Sequence, residues 1–582
     1  MNQTKTQALV HSERIRKLAD TRQQILRAPV DQVMAAIFDH PQPAALIHSF
    51  PEEDLHFLIH DIGLDSAGPL LSLASNRQWE YMLDMETWRK DRLNYQQATN
   101  WLQLLLQADP ERLVNLCFHE RLEFLELYLF HNIELRTLES DQASSDFGDG
   151  FFTDDDTFYV RFVDFPVSTP EEETAKTRRN EMLRQLLQRL SSYDHPLYQG
   201  LLMESVNMIP GETEEELYRM RNVRLGEKGF LPFHEAVGVY QPLRPRDLAV
   251  RDKKALGPPS LVETQLPVPQ FAAAYIDGDN RFVRALKSIR EHHIIQQLQA
   301  ELASLCNQII SADQEIIRGR DQLKAVVSKA SGYLGIGLEL MTTSPAESHE
   351  REAAALLRRH LLADIFRTGF AGALQLKWDA TRWRKESWFY THGVDLTFWD
   401  ENWLGLLGGL LLDRPKFYDP SDRGSSYHDF QSLREIEATR RGLDQVIALD
   451  RLLNHLKIPM APVRKIRFLT YKNLLLTLWA RVWLGEAPID ADTPSLRISR
   501  SAFKKFYAGL WTDHEDHRII GDAPRADFLK WAADASGLSE TDLSNSLGSV
   551  FEALFNQIDS DLAPVEPGNL DPHHVHLFLL RP

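Results

Sequence analysis

The sequence predicts a mostly α protein: stacked helical hairpins in a superhelix-like N-terminal half that carries one small β-hairpin, followed by a second helical domain. Two observations carry this reading. Apolar residues recur at three- and four-residue spacing in segment after segment, which places them on one helix face. Only one stretch, Phe151–Phe165, alternates with the period of a strand.

Bulk properties set the frame. A chain of 582 residues is too long for one core, and 43% hydrophobic with 10% aromatic residues is enough to fill more than one. The formal net charge of −18 opposes non-specific binding to nucleic acid or anionic lipid. The two cysteines, Cys117 and Cys306, lie far apart without C-x-x-C spacing, so neither a disulfide framework nor a thiolate zinc site is indicated. Met1–Arg27 lacks the apolar core of a secretory signal, and Leu404–Leu412 is far shorter than a membrane span. These features predict a cytoplasmic protein without membrane insertion.

Taken in order, residues 1–30 form an N-terminal arm, in which Ser12–Arg27 has helix-forming composition and excess basic charge. Such a segment is expected to lie on the body as a terminal helix. Residues 31–243 form the helical-repeat domain. Pro51 opens a helix, Glu52, Glu53 and Asp54 favour its positive end, and Leu55, Leu58, Ile59 and Ile62 make its apolar face. Asp109-Pro110-Glu111 repeats the device before Leu113, Leu116 and Cys117. The Phe151–Phe165 stretch is expected to be a small β-hairpin or an edge strand around the acidic turn Asp154-Asp155-Asp156, which lacks the spacing of a calcium loop.

Thr213–Leu243 is the most legible passage. Thr213 and Glu216 fit a capping box, and Gly229 is placed to leave the helix left-handed. Phe233, Ala236, Val237 and Tyr240 give a second helix before Pro242, so the passage predicts a helical hairpin. Arg221, Arg224 and Lys228 fall on one side of the first helix. They are a candidate ligand stripe for phosphate or carboxylate, weighed against simple pairing with nearby acids.

The run of acids from Glu214, then R-x-x-R-L-x-E-x-G-F, then E-A-x-x-x-Y ending at Tyr240, resembles a bacterial family known only as a domain of unknown function. The likeness extends to the C-terminus through Glu301–Asn307 and Ile365–Gly369 and implies no activity. The L-x-x-x-x-P-E openings at Leu46–Glu53 and Leu105–Glu111 are also similar to the N-terminal helical superhelix of MgtE-type magnesium channels. That resemblance implies a regulatory, magnesium-sensing module, for which this chain offers no pore to regulate.

Residues 244–270, rich in proline, are expected to link the two bodies, and 271–582 to form the C-terminal helical domain. Trp378, Trp383, Trp388, Trp399 and Trp403, interleaved with Arg382, Arg384 and Lys385, suit either a core or a nucleic-acid surface. The acidic whole favours the core. Gly405, Gly408 and Gly409 mark a close-packing helix.

For chemistry, D-H-E-D-H at Asp513–His517 and D-P-H-H-V-H at Asp571–His576 supply a candidate divalent-metal set: His514, His517, His574 and His576. The H-E-x-x-H spacing is absent, and no nucleophile elbow, dinucleotide fingerprint or kinase set is present. No cofactor follows from the sequence beyond that metal option. Two readings remain: a helical scaffold or protein-interaction protein with a protein partner and a regulatory use, or a metal-dependent hydrolase built on the C-terminal histidine and aspartate clusters.

Overall fold

A computed structural model describes residues 14, 17–137, 147–251, 269–343, 348–421, 426–464, 466, 468–490, 493, 495–514, 517–566, 569–571 and 574–581. The protein is mostly α, and its described strands form two-stranded antiparallel pairs only. The chain divides into two compact units. The first holds 1–334 and 341–367, the second 335–340 and 368–582. This division falls elsewhere than the 244–270 stretch that proline content suggested, of which 252–268 lie outside the described residues.

In the first unit, short helices follow one another as Val30–Phe38, Pro43–His48, Glu52–Ile62, Gly68–Leu73, Asn76–Glu86, Tyr95–Ala108, Pro110–His119 and Leu122–Asn132. Several starts have a local cause. Ser75 and Gln78 form a reciprocal capping box, and Asp109 accepts from the Arg112 N–H at 3.1 Å beside Pro110. Ile25, Leu26, Leu46, Leu58, Trp79, Leu102 and Leu125 enter one buried cluster, so the end of the N-terminal segment at Ile25 and Leu26 packs on the body.

The β element is a strand of a two-stranded pair, the second of the two expected forms. Phe158–Phe162 lies antiparallel to Ile133–Thr137, with Leu135 opposite Val160, while its own stretch returns only the Phe152–Val160 bridge. The Asp155 carboxylate accepts from the N–H groups of Thr157 (3.0 Å) and Phe158 (2.8 Å) and closes the turn between Phe152 and Val160. The acidic cluster here is a turn.

Two details of the central passage are also corrected. Its helix spans Pro210–Gly226, starting before Thr213, because Pro210 occupies the first turn, where its missing N–H costs nothing. Thr213 instead donates its hydroxyl to Ile209 O at 3.3 Å. The second helix is a single turn, Phe233–Ala236, continued as the 3-10 turn Val237–Tyr240. Gly229 does adopt φ +88°, and a Cβ there would stand 2.5 Å from Ser304 Oγ and 2.8 Å from Ser304 O. Only glycine meets both demands.

In the second unit the tryptophans form a core. Trp399 is fully buried, with Trp383 and Phe389 rings at 5.6 and 5.5 Å, and Trp403 stacks on Tyr471 at 4.8 Å. Trp378 stays exposed. Gly405 packs against the Tyr418 ring of the Phe417–Tyr418/Tyr427–His428 strand pair, so the partner of this glycine is a β ribbon rather than a second helix. No described helix is long and apolar enough to cross a membrane.

Candidate metal centre

The Glu52–Ile62 helix begins with three acids in its first turn and buries most of its length. His56 and His60, one helical turn apart, share a face. The Asn76–Glu86 helix packs alongside and ends on Glu86. A carboxylate at a helix C-terminus meets the negative end of the dipole. Here two imidazoles offset that cost: His56 Nε2 donates to Glu86 Oε1 at 2.7 Å and His60 Nε2 to the same oxygen at 2.6 Å.

The three side chains are 3%, 9% and 17% exposed, which makes the cluster essentially dry. Burial alone would raise the Glu86 carboxyl, yet the hydrogen bonds from His56 and His60 outweigh it and hold the group below its ordinary range. Burial lowers His56 in spite of its carboxylate partner, which favours the neutral imidazole that a metal needs. His56 Nδ1 is buried with no hydrogen-bond partner among the described residues.

The ligand atoms of His56, His60 and Glu86 lie within 4.8 Å of one another, and among the described residues this is the group of three or more such donors that converges in this way. A tetrahedral ion with bonds near 2.0–2.1 Å sets its ligand atoms about 3.3 Å apart, so each of the two histidine–Glu86 contacts, at 2.7 and 2.6 Å, would lengthen by less than about an ångström. Two imidazoles and one carboxylate suit zinc or ferrous iron and disfavour magnesium and calcium, which take oxygen donors. A cavity of about 260 Å³ in the same unit, lined by Arg27, Asp277 and Lys287, is formed by other residues.

Tyr81 joins this centre to the cations singled out from the sequence. Its ring lies 5.6 Å from His56 on one side, and Lys228 Nζ stands 5.6 Å from it on the other. Burial, then the charges of Glu53, Glu52 and Glu86, push the Tyr81 hydroxyl well above its usual range. Lys228 pairs with Glu52 at 2.8 Å and Glu53 at 3.3 Å. Arg224 grips Asp84 through Nε (2.7 Å) and Nη2 (3.0 Å), and Arg121 reaches the same carboxylate at 3.0 Å. Arg221 donates to the Asp84 backbone oxygen at 2.5 Å. All three residues of the candidate stripe are therefore engaged by the two helices that carry His56, His60 and Glu86.

The C-terminal histidines sit otherwise. His514 and His517 are register partners in the Trp511–His514/His517–Ile520 hairpin, with side chains outside what the structure describes, and Glu515, Asp516 and His573 lie outside the described residues. His574 and His576 are exposed. Cys117 and Cys306 are buried, and burial pushes the Cys117 thiol up to about 12 and raises Cys306 further. Sequence reasoning missed His56, His60 and Glu86. The H-x-x-x-H spacing was visible but submerged in an apolar face, and Glu86 belongs to another helix.

Residues 11–581 match a family model, the Family of unknown function (DUF6178). No curated protein and no solved structure matches the chain, and the MgtE likeness therefore has no counterpart among the matches.

Proposed function

The chain belongs to the DUF6178 family of unknown function, and on that footing we propose that it is a helical interaction protein whose first unit is organised by a divalent metal of the zinc class. The observation that carries this reading is the convergence of two imidazoles and one carboxylate from two helices in a dry setting. Bound there, the ion would clamp the Glu52–Ile62 and Asn76–Glu86 helices together and replace the hydrogen bonds that Glu86 now accepts. The low exposure of the donors favours a structural or regulatory ion over one that presents an activated water to substrate.

A protein partner is supported by a separate feature. Met203, Val206, Ile209, Met220 and Val223 expose large apolar side chains on the His195–Asn207 and Pro210–Gly226 helices and the junction between them. The hydrolase reading draws no comparable support from the exposed His574 and His576.

Metal analysis of the purified full chain tests the proposal. About one equivalent of zinc or iron, lost in a folded His60→Ala variant and kept in a His574→Ala variant, is expected. Metal lost instead from the His574→Ala variant would move the site to the C-terminus, and metal-free protein that fails to take up zinc would overturn the reading.

A further inference from the structure

The His195–Asn207 helix buries its inward half through Tyr198, Leu201, Leu202 and Ser205. Its outward half carries Leu197, Met203 and Val206, all exposed, around an exposed Gly200. Glycine is among the least favourable residues for a helix interior. The fold gives no reason for it here, because the backbone is ordinary helix and a Cβ on Gly200 would meet no described atom within 4 Å. A bare position in the middle of an exposed apolar surface lets a second backbone approach from outside.

The charge beside this surface has one sign. The helix packs against Leu122–Asn132, on which Glu123, Glu126 and Phe130 share a face at i, i+3 and i+7. Phe130 and Glu123 are exposed, as is Glu204 on the first helix. Burial, then the charges of Glu123 and Glu204, raise the Glu126 carboxyl, so both neighbours stand near enough to repel it. Among the described residues no cation pairs with any of the three.

We infer that this surface receives a basic amphipathic helix of a protein partner. Its apolar face would lie against Leu197, Met203, Val206 and Phe130, closest at Gly200, with its cations beside Glu123, Glu126 and Glu204. Apolar burial supplies the affinity, and the unpaired carboxylates supply the preference for cations, since a neutral helix would leave their repulsion standing. This assignment rests on the protein-partner reading of the exposed apolar side chains and narrows it to one class of partner.

Fluorescence anisotropy tests it on the full chain with a labelled helical peptide, leucines on one face and lysines on the flanks, beside a second peptide with glutamine in place of each lysine. Saturable binding of the lysine peptide is expected, at least about tenfold tighter than that of the glutamine peptide. Gly200→Gln places a side chain in open space, so the fold is kept while the lysine peptide should weaken at least about tenfold. Glu126→Gln/Glu204→Gln should weaken the lysine peptide about fivefold and leave the glutamine peptide unchanged. Equal affinity for the two peptides would overturn the inference and leave an apolar docking face standing, whereas no binding of either to folded protein would remove both. Undiminished binding of the lysine peptide to folded Gly200→Gln would place the contact elsewhere and overturn the inference as well.

Discussion

Glu86 and His60 stand 26 residues apart in the chain, yet His60 Nε2 donates to Glu86 Oε1 at 2.6 Å. His56 uses the same oxygen. One carboxylate at a helix terminus thus holds two imidazoles of the neighbouring helix, and the consequences can be measured.

Glu86→Gln retains an acceptor oxygen but loses the charge that both imidazoles use. A loss of about 1–3 kcal/mol is expected, since the hydrogen bonds involved are charge-assisted and buried. Urea denaturation of metal-free protein checks this, and an unchanged midpoint would show that Glu86 contributes nothing in the apo state.

His56 and Asp54 should pull the pH profile in opposite directions. Burial lowers His56, so the folded state resists protonation and its stability is lost as pH falls below the ordinary imidazole value of 6.5. Burial raises Asp54 to about 7 although it accepts from the N–H groups of Gln270 and Phe271. The folded state therefore holds the Asp54 proton more tightly than the unfolded chain, and this contribution is lost as pH rises through about 7. Relative to Asp54→Asn, the wild-type chain should lose on the order of 2 kcal/mol between about pH 5 and pH 8. A flat difference would contradict the assignment.

Asp84 is 3% exposed and shared by Arg121 and Arg224. Asp84→Ala removes the buried carboxylate that both cations share and leaves them only Glu80, at 3.0 Å from Arg121 and 3.6 Å from Arg224, and should cost about 1–3 kcal/mol. Arg224→Ala should cost less, because Arg121 remains. Chemical denaturation of both variants orders them, and the reverse order would show that Arg224 matters through some other contact.

Gly229→Ala combines a left-handed backbone with a Cβ 2.5 Å from Ser304 Oγ and 2.9 Å from Ser304 Cα. A loss of at least about 1–3 kcal/mol is expected. Adding Ser304→Ala should restore little, since backbone atoms also obstruct the methyl group. Full rescue by that second change would mean that only the hydroxyl was in the way.

Local chemistry made much of the fold legible. The acids after Pro51, the Asp109-Pro110 opening and the left-handed Gly229 act within a few residues and read directly from the chain. Features that need a distant partner did not. Phe158–Phe162 found Ile133–Thr137 across a long connection, and Gly405 found a β ribbon. The candidate site shows the same division: Arg221, Arg224 and Lys228 stood out as a stripe, but only the fold reveals the acids of two other helices beside them. His56 and His60 share a helix with the apolar face of Leu55, Leu58, Ile59 and Ile62, and their partner Glu86 comes from another helix.

X-ray absorption at the zinc edge of the zinc-loaded full chain addresses the metal centre most directly. Two imidazole nitrogens and a carboxylate oxygen at about 2.0–2.1 Å are expected, with the imidazole signal lost in His56→Ala/His60→Ala. A sulfur-containing or all-oxygen shell, or an imidazole signal that survives the double substitution, would contradict it.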